Sequence, residues 1–185
     1  VEFSCKVVDI FIKGEHNIQN AMAVIIAAKI FNLDNEKILG ALRSFKGVEH
    51  RIEFVRDING IKVYNDSKGT NKKACQIALS SFESPTIILL GGLDQKGDFN
   101  ELKEYFKNVK IVLAYGETKN KIKEFCDTIN VECIVVDNLK EATELAYKNA
   151  VNGDIILLSP ACASWDQFKD YEERGRLFKE YINNL

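Results

Sequence analysis

The chain has 185 residues, of which 46% are hydrophobic, and its 25 basic and 27 acidic side chains give a formal charge of −2. This length and apolar content allow one good-sized domain, or one domain with part of another. Because basic and acidic residues are interspersed, the composition gives no support to a nucleic-acid-binding protein. The longest apolar stretch, residues 21–30, is interrupted by Lys29 and is too short to span a bilayer, so membrane insertion is not expected.

The five cysteines include no C-x-x-C pair, which is typical of reduced thiols in a cytoplasmic protein. The two histidines lack ligand spacing, so neither a structural zinc site nor another metal ligand is expected. The chain opens on Val1-Glu2-Phe3, with neither an initiator Met nor a secretory leader. We therefore expect that the sequence is a fragment and that an N-terminal part lies outside it.

The first 48 residues predict the end of one domain. Alternating polarity over residues 1–12 indicates one or two strands, followed by a turn at 13–16. Asn17 stands where a helix N-cap belongs, before an Ala-rich helix over 20–31 that is apolar enough to be almost wholly buried. A second helix is predicted over 35–45, with a linker at 46–48.

After the linker, short apolar runs alternate with amphipathic segments. Residues 51–57 and 60–65 predict a hairpin around Asn59-Gly60, a strong two-residue turn signal. The remaining predicted strands cover 86–90, 109–115, 131–136 and 154–158. The remaining predicted helices cover 72–82, 99–107, 117–129, 139–151 and 166–183. This order predicts an α/β fold with a doubly wound, mainly parallel, Rossmann-like sheet.

Polar residues concentrate where these strands end, which is where open α/β sheets bind ligands. The turn after strand 60–65 carries Asp66, Lys68 and Thr70 before a predicted helix start, a position suited to an anion. A plain loop capped by Asn71 would explain Asn71 and Gly69 but would leave those three side chains without a role.

Three other strand ends carry candidate groups to different degrees. Gly91-Gly92 would let the backbone approach a ligand, although such a pair is often only a tight turn, and Lys96 on the same loop would also suit an exposed surface position. Gly116 begins a third loop. In the loop 159–166, Ser164 either binds a ligand or, like Asp166, caps the last helix. We expect Cys162 to be a buried structural thiol.

Further candidates lie near the linker. Arg51, beside His50, could fork onto a phosphate, although a surface salt bridge would explain it equally. Asn17 and Asn20 could meet a nucleobase edge, and a capped helix start is the ordinary alternative. The chain contains no G-x-x-x-x-G-K-[ST] phosphate loop and no G-x-G-x-x-G fingerprint.

Four strings together resemble the Mur ligases. They are Gly14-Glu15-His16-Asn17-Ile18-Gln19-Asn20-Ala21, His50-Arg51-Ile52-Glu53, Asn65-Asp66-Ser67-Lys68-Gly69-Thr70-Asn71, and Leu158-Ser159-Pro160-Ala161-Cys162-Ala163-Ser164-Trp165-Asp166-Gln167-Phe168 with Glu173-Arg174-Gly175 beyond. The third and fourth are specific within the family and resemble most the members that add D-glutamate. Trp165 departs from the pattern, because the family usually has a smaller apolar residue there.

The resemblance implies a three-domain, monomeric ligase of peptidoglycan biosynthesis. Residues 1–47 would be the end of the central ATP-binding domain, and residues 48–185 the C-terminal glutamate ligase domain. The implied reaction adds D-glutamate to UDP-N-acetylmuramoyl-L-alanine through an acyl phosphate, with ATP and Mg²⁺ as cofactors. The present residues lack a phosphate loop and most metal ligands, so we expect them to be inactive alone.

The resemblance also implies roles for individual residues. ATP is expected to contact Asn17, Asn20, Arg51, Asp66 and Lys68, the first two at the adenine. D-Glutamate is expected to be held by Thr70, Lys96, Ser164 and the backbone near Tyr171. The catalytic groups are expected to be Lys68, Arg51 and His50, because both chemical steps gather negative charge.

Two other functions remain compatible with these residues. One is a different ligase of the same architecture, such as a folylpolyglutamate synthetase or a Mur ligase that adds another amino acid. The other is a non-catalytic module that binds a nucleotide or an amino acid.

Overall fold

A computed structural model describes residues 3–7, 10, 12, 14–94 and 96–185. The chain divides into two compact units, Val1–Val48 and Glu49–Leu185. Within the described ranges, no helix combines the length and apolarity needed to cross a membrane.

The first unit contains helices α1 (Glu15–Ile30) and α2 (Asn35–Ser44). Gly14, not Asn17, is the N-cap of α1, so the predicted cap at Asn17 is wrong and that residue lies within the first turn. Helix α2 begins as its sequence predicts, because the Asp34 side chain accepts hydrogen bonds from the Glu36 and Lys37 amides.

Two other predictions for this unit are wrong. Residues 3–7, 10 and 12 form no strand, while residues 1, 2, 8, 9, 11 and 13 lie outside the described residues. Helix α1 is not wholly buried, because Met22, Val24, Ile26 and Ile30 are 57–72% exposed. Residues 21–28 of the helix are apolar on every side, and the unit's small core of Ile10, Ala21, Ile38 and Leu42 covers only part of this stretch.

The second unit begins with the predicted hairpin. Strands β1 (Glu53–Ile58) and β2 (Ile61–Asn65) pair antiparallel, with Ile58 opposite Ile61. Asn59 and Gly60 both have positive φ, at 54° and 82°, as a type I′ turn requires.

Four parallel strands complete a six-stranded sheet in the order β1-β2-β6-β3-β4-β5. They are β3 (Thr86–Gly91), β4 (Val109–Tyr115), β5 (Glu132–Val135) and β6 (Ile155–Leu158). The helices are α3 (Lys72–Ser80), a 3-10 helix (Phe99–Asn108), α4 (Lys119–Ile129), α5 (Leu139–Asn149) and α6 (Tyr171–Asn183).

Both faces of the sheet are covered, so the predicted doubly wound α/β fold is confirmed. Successive residues of β3 alternate between two cores: Ile88 and Leu90 pack with α3, the 3-10 helix and α4, while Ile87 and Leu89 pack with α5 and α6. All six residues of β3 are buried, which explains why this central strand is a continuous apolar run.

Two predicted helices differ in detail. The segment predicted as a helix over 99–107 is a 3-10 helix. The last helix begins at Tyr171 rather than at 166, so neither Ser164 nor Asp166 is its cap. Its N-cap is Asp170, which accepts from the Glu173 amide, while the Glu173 carboxylate accepts from the Lys169 amide.

Candidate functional site

The loops that follow β2, β3, β4 and β6 lie at the carboxyl edge of the sheet and are hydrogen-bonded to one another. The Ala161 amide donates to Gly69 O at 2.9 Å, and the Gly91 amide donates to Pro160 O at 3.0 Å. The Leu93 amide donates to Ala163 O at 2.9 Å. In the fifth loop, after β5, Asn138 caps α5 by accepting from the Glu141 amide, and the Asp137 carbonyl accepts from the Gln167 side-chain amide.

The glycine after β3 serves this loop-to-loop contact. Gly92 has φ +142°, and a Cβ there would overlap with the carbonyl oxygen of Ala163. The close backbone approach predicted for the glycine pair is therefore, at Gly92, an approach to the protein's own 159–166 loop, and at Gly91 an approach to the Tyr115 backbone of β4.

Asp66 lies beneath the first loop with both carboxylate oxygens engaged. Oδ2 accepts from Ser159 Oγ at 2.8 Å, and Oδ1 accepts from the Ile52 amide at 3.2 Å. The side chain is 4% exposed. Burial raises the pKa of Asp66 to about 7, despite these hydrogen bonds and the nearby Arg51 and Arg174 charges.

Arg174 of α6 is completely buried and joins two of the loops. Its Nε donates to Ser67 Oγ at 3.0 Å and its Nη2 to Ser67 O at 2.8 Å. Its Nη1 donates to Cys162 O at 3.1 Å. The guanidinium fork thus fixes the loop that carries Lys68 against the loop that carries Ser164.

His50 is buried behind the same loop. Its Nδ1 lies 2.9 Å from the side-chain amide nitrogen of Asn65, which is a donor, so Nδ1 is the unprotonated acceptor of a neutral ring. Burial lowers the pKa of His50, which favours this neutral form. The His50 carbonyl accepts from the Lys68 amide at 3.0 Å, so residue 50 holds the backbone of the predicted catalytic lysine.

The predicted cations are placed differently from the buried groups. Arg51 and Lys68 are both exposed, and neither forms an ion pair within 4.0 Å in the described part of the chain. The Lys68 ammonium lies 5.6 Å from the centre of the Tyr171 ring. Two free cations at the edge of the sheet are available to an anionic ligand.

The residues predicted to hold an amino acid lie on three of the joined loops. Ser164 is buried and Thr70 is half-buried, whereas Lys96 is exposed with φ +52°. The Lys96 amide donates to Asp94 Oδ1 at 3.1 Å. The carbonyl oxygen of Tyr171 accepts a hydrogen bond from Ser67 Oγ at 2.7 Å. A ligand held by the backbone near Tyr171 would therefore bind to groups other than this oxygen.

The predicted adenine-binding residues belong to the first unit. Asn17 and Asn20 lie one turn apart on α1, and the Asn20 side-chain amide donates to Asn17 Oδ1 at 3.4 Å. The two amides therefore present a joint polar surface on that helix.

One group of possible metal ligands occurs among the residues that the structure describes, namely Glu49, His50 and Glu53, whose ligand atoms lie within 4.8 Å of one another. Lys179 Nζ lies 2.5 Å from Glu49 Oε1 and 3.0 Å from Glu53 Oε1. The ammonium is paired with both carboxylates, so the group is an ion-pair network and does not suit a cation.

The third and fourth loops meet at a polar contact that involves Asp166. Asp166 Oδ2 accepts from the Glu117 amide at 3.1 Å, which gives Asp166 a role in joining loops instead of capping α6. Asp166 Oδ1 and the hydroxyl of Tyr115 are buried without a hydrogen-bond partner among the described atoms. Cys162 is 2% exposed, and burial raises the pKa of its thiol, as a structural cysteine would show.

Sequence reasoning assigned no function to Asn65, Ser67 and Arg174, the groups that hold these loops. Arg174 and Gly175 carried a signal, because a charged residue and a glycine interrupt the apolar face of a helix there. A Cβ on Gly175 would overlap with His50 Nδ1, so this glycine makes room for the buried ring.

The family model described as "Mur ligase, glutamate ligase domain" matches residues 50–162. Two relatives named UDP-N-acetylmuramoylalanine–D-glutamate ligase are similar to nearly the whole chain. The one from Caldicellulosiruptor bescii is 50% identical over 96% of this chain and 39% of its own length, and the one from Bacillus thuringiensis is 47% identical over 96% and 40%. The chain thus spans about two fifths of the length of these relatives.

Solved structures show the same fold at low identity. The UDP-N-acetylmuramate-alanine ligase of Thermotoga maritima superimposes with a TM-score of 0.71 at 19% identity, covering 95% of this chain and 39% of that one. The bifunctional folylpolyglutamate synthase/dihydrofolate synthase of Yersinia pestis gives a TM-score of 0.60 at 13% identity, covering 81% and 35%. The resemblance predicted from the four strings is confirmed: the chain belongs to the Mur ligase family and contains its glutamate ligase domain.

Proposed function

We propose that the protein to which this chain belongs is an ATP-dependent ligase of peptidoglycan biosynthesis that adds D-glutamate to UDP-N-acetylmuramoyl-L-alanine. The observation that carries the proposal is the joined set of strand-end loops, which brings Lys68, Thr70, Lys96 and Ser164 to one edge of a glutamate ligase domain. The names of the relatives at 47–50% identity support D-glutamate as the amino acid.

The charges of this edge suit the proposed reaction. Transfer of phosphate from ATP to the sugar-peptide carboxylate, and attack of the amine on the acyl phosphate, both concentrate negative charge. Arg51 and Lys68 are exposed cations without an ion-pair partner among the described residues, so they are free to stabilise that charge. Thr70, Lys96 and Ser164 supply hydroxyls and an ammonium for an amino acid with two carboxylates.

We assign His50 and Asp66 supporting roles in this reaction. The His50 ring is neutral and offers no positive charge to a phosphate. The backbone carbonyl of His50, however, accepts a hydrogen bond from the Lys68 amide. Asp66 holds the start of the Lys68 loop through Ser159 and Ile52. Both residues therefore position Lys68 through hydrogen bonds to its backbone or to its loop.

Mg²⁺ accompanies ATP in such reactions and neutralises phosphate oxygens. The described residues do not form its binding site: both oxygens of Asp66 accept protein hydrogen bonds, and the Lys179 ammonium is paired with Glu49 and Glu53. No step is assigned to a metal held by this chain.

The proposal extends to the first unit and to the setting of the reaction. Residues 1–47 would belong to an ATP-binding domain in which Asn17 and Asn20 contact the adenine, and residues 48–185 would bind the amino acid. A cytoplasmic monomer fits this role, since the nucleotide substrates are cytoplasmic.

The test is an assay of the full-length protein with ATP, Mg²⁺ and UDP-N-acetylmuramoyl-L-alanine, comparing D-glutamate with L-glutamate. We expect phosphate release and a new amide product with the D isomer only. The matched control contains D-glutamate without the sugar-peptide substrate and should release no phosphate. A preference for L-glutamate would refute the assignment, and turnover with a folate substrate would favour a folylpolyglutamate synthetase.

A further inference from the structure

Lys72, the first residue of α3, carries a half-buried charge. Its ammonium lies 5.0 Å from the centre of the Phe99 ring, and a Cβ built on Gly97 would be 2.5 Å from it. Its charge also acts on the pKa of Cys162 in the 159–166 loop. Lys72 therefore lies where three strand-end loops meet.

The carboxylates nearest to Lys72 are engaged elsewhere. Asp94 is ion-paired with Lys121 and also accepts from the Lys96 amide. Asp98 caps the 3-10 helix by accepting from the Asn100 amide at 2.9 Å. The Lys72 charge contributes to lowering the pKa of both Asp94 and Asp98. In the described ranges, however, no carboxylate lies within 4.0 Å of the Lys72 ammonium, so this half-buried cation forms no direct ion pair.

The position of Lys72 on its helix is also unfavourable for a cation. The first turn of α3 contains Lys72 and Lys73 and no acidic residue, although the N-terminal end of a helix carries partial positive charge. The first amides of a helix lack intrahelical acceptors, and the Asn71 side chain takes only that of Ala74. The helix start and the Lys72 ammonium together form a site that a bound anion would stabilise.

We propose that Lys72 binds the side-chain carboxylate of the incoming dicarboxylic amino acid and so determines specificity. This inference rests on the proposed function, since it names a further residue of the same amino-acid site. The Lys72 ammonium lies over the Phe99 ring and against Gly97, which places it beside the 93–98 loop. An uncharged amide at the same place would leave the cation unpaired.

The experiment uses the full-length ligase with Lys72→Met, and Lys73→Met as the matched control, since Lys73 is exposed and has the same charge. A charge-assisted hydrogen bond predicts a rise of about 10- to 100-fold in the KM for D-glutamate in Lys72→Met. The KM for ATP should change less than twofold, and Lys72→Arg should recover most of the loss. Lys73→Met should behave as the wild type.

The decisive readout is the ratio of kcat/KM for D-glutamate to that for D-glutamine, which does not depend on the amount of folded enzyme. We expect the ratio to fall at least tenfold in Lys72→Met. An unchanged ratio, or equal effects of Lys72→Met and Lys73→Met, overturns the inference while leaving the proposed function intact. A wild type that ligates another acidic amino acid refutes the proposed function, and the acid-to-amide ratio for that substrate then tests Lys72. A wild type that ligates no acidic amino acid overturns both.

Discussion

Replacing Arg174 by Met should destabilise the second unit strongly, because three buried acceptors lose their donor at once. The acceptors are Ser67 Oγ, Ser67 O and Cys162 O, all bound by the guanidinium. Each buried acceptor left without a partner costs about 1–3 kcal/mol. Methionine keeps part of the stem packing, and removal of a buried charge recovers desolvation energy. We therefore expect a loss of about 3–5 kcal/mol in the free energy of unfolding.

The measurement is urea unfolding of the 185-residue chain followed by far-ultraviolet circular dichroism. With a denaturant dependence of about 2 kcal/mol per molar urea, the expected loss lowers the midpoint by about 1.5–2.5 M. Arg176→Met is the matched control, because Arg176 lies on the same helix but is exposed, and it should change the free energy by less than about 0.5 kcal/mol. A loss below about 1 kcal/mol in Arg174→Met would refute the view that this fork holds the loops together.

Three further predictions concern a glycine, a buried carboxylate and a surface lysine. Gly175→Ala should lower the free energy of unfolding by about 1–3 kcal/mol, because the new Cβ overlaps with the His50 ring. Gly40→Ala in α2 is the control: the space around Gly40 is open, so this change should raise the free energy of unfolding by about 0.5–1 kcal/mol. Thermal unfolding measures both changes. Because its pKa is raised, Asp66 keeps its proton in the folded state up to about pH 7, whereas the unfolded chain loses it near pH 4. The protonated Asp66 therefore contributes fully to the free energy of unfolding below about pH 4, and this contribution is lost as the pH rises through about 7. In Asp66→Asn the decline between pH 4 and 7, up to about 4 kcal/mol, should flatten in urea unfolding, and an unchanged slope would contradict the assignment. In the full-length ligase, Lys96→Ala should raise the KM for D-glutamate at least about tenfold and should change the KM for ATP little. Lys103→Ala, at another exposed lysine, is the control and should change neither KM. Equal changes in the KM for D-glutamate and the KM for ATP would argue against the role of Lys96.

Local patterns were sufficient to predict most of the second unit. The Asn59-Gly60 pair specifies its own turn, and continuous apolar runs such as β3 specify a strand buried on both faces. The concentration of polar residues after β2, β3 and β6 predicted the edge at which the loops meet, since parallel strands end on one side of a sheet.

The errors arise where a residue's role depends on distant parts of the chain. The burial of α1 was predicted from apolarity alone, but the helix is covered only where other residues of its unit reach it. The sequence predicts too early a start for α6 because Ser164 and Asp166 have the character of helix caps, although Asp170 and Glu173 have the spacing of a capping pair. The role of Arg174 follows from the approach of α6 to Ser67, 107 residues earlier in the chain, which no local pattern reveals.

The hydrogen bonds between the strand-end loops also determine how fast their amides exchange with solvent. The amides of Gly91, Leu93 and Ala161 donate to neighbouring loops, so deuterium can reach them only when the loops separate. We expect them to exchange as slowly as amides within the sheet, unlike those of an ordinary surface loop. Loops joined in this way would keep their shape, so in the proposed ligase selection among amino acids would depend on complementarity to a fixed rim.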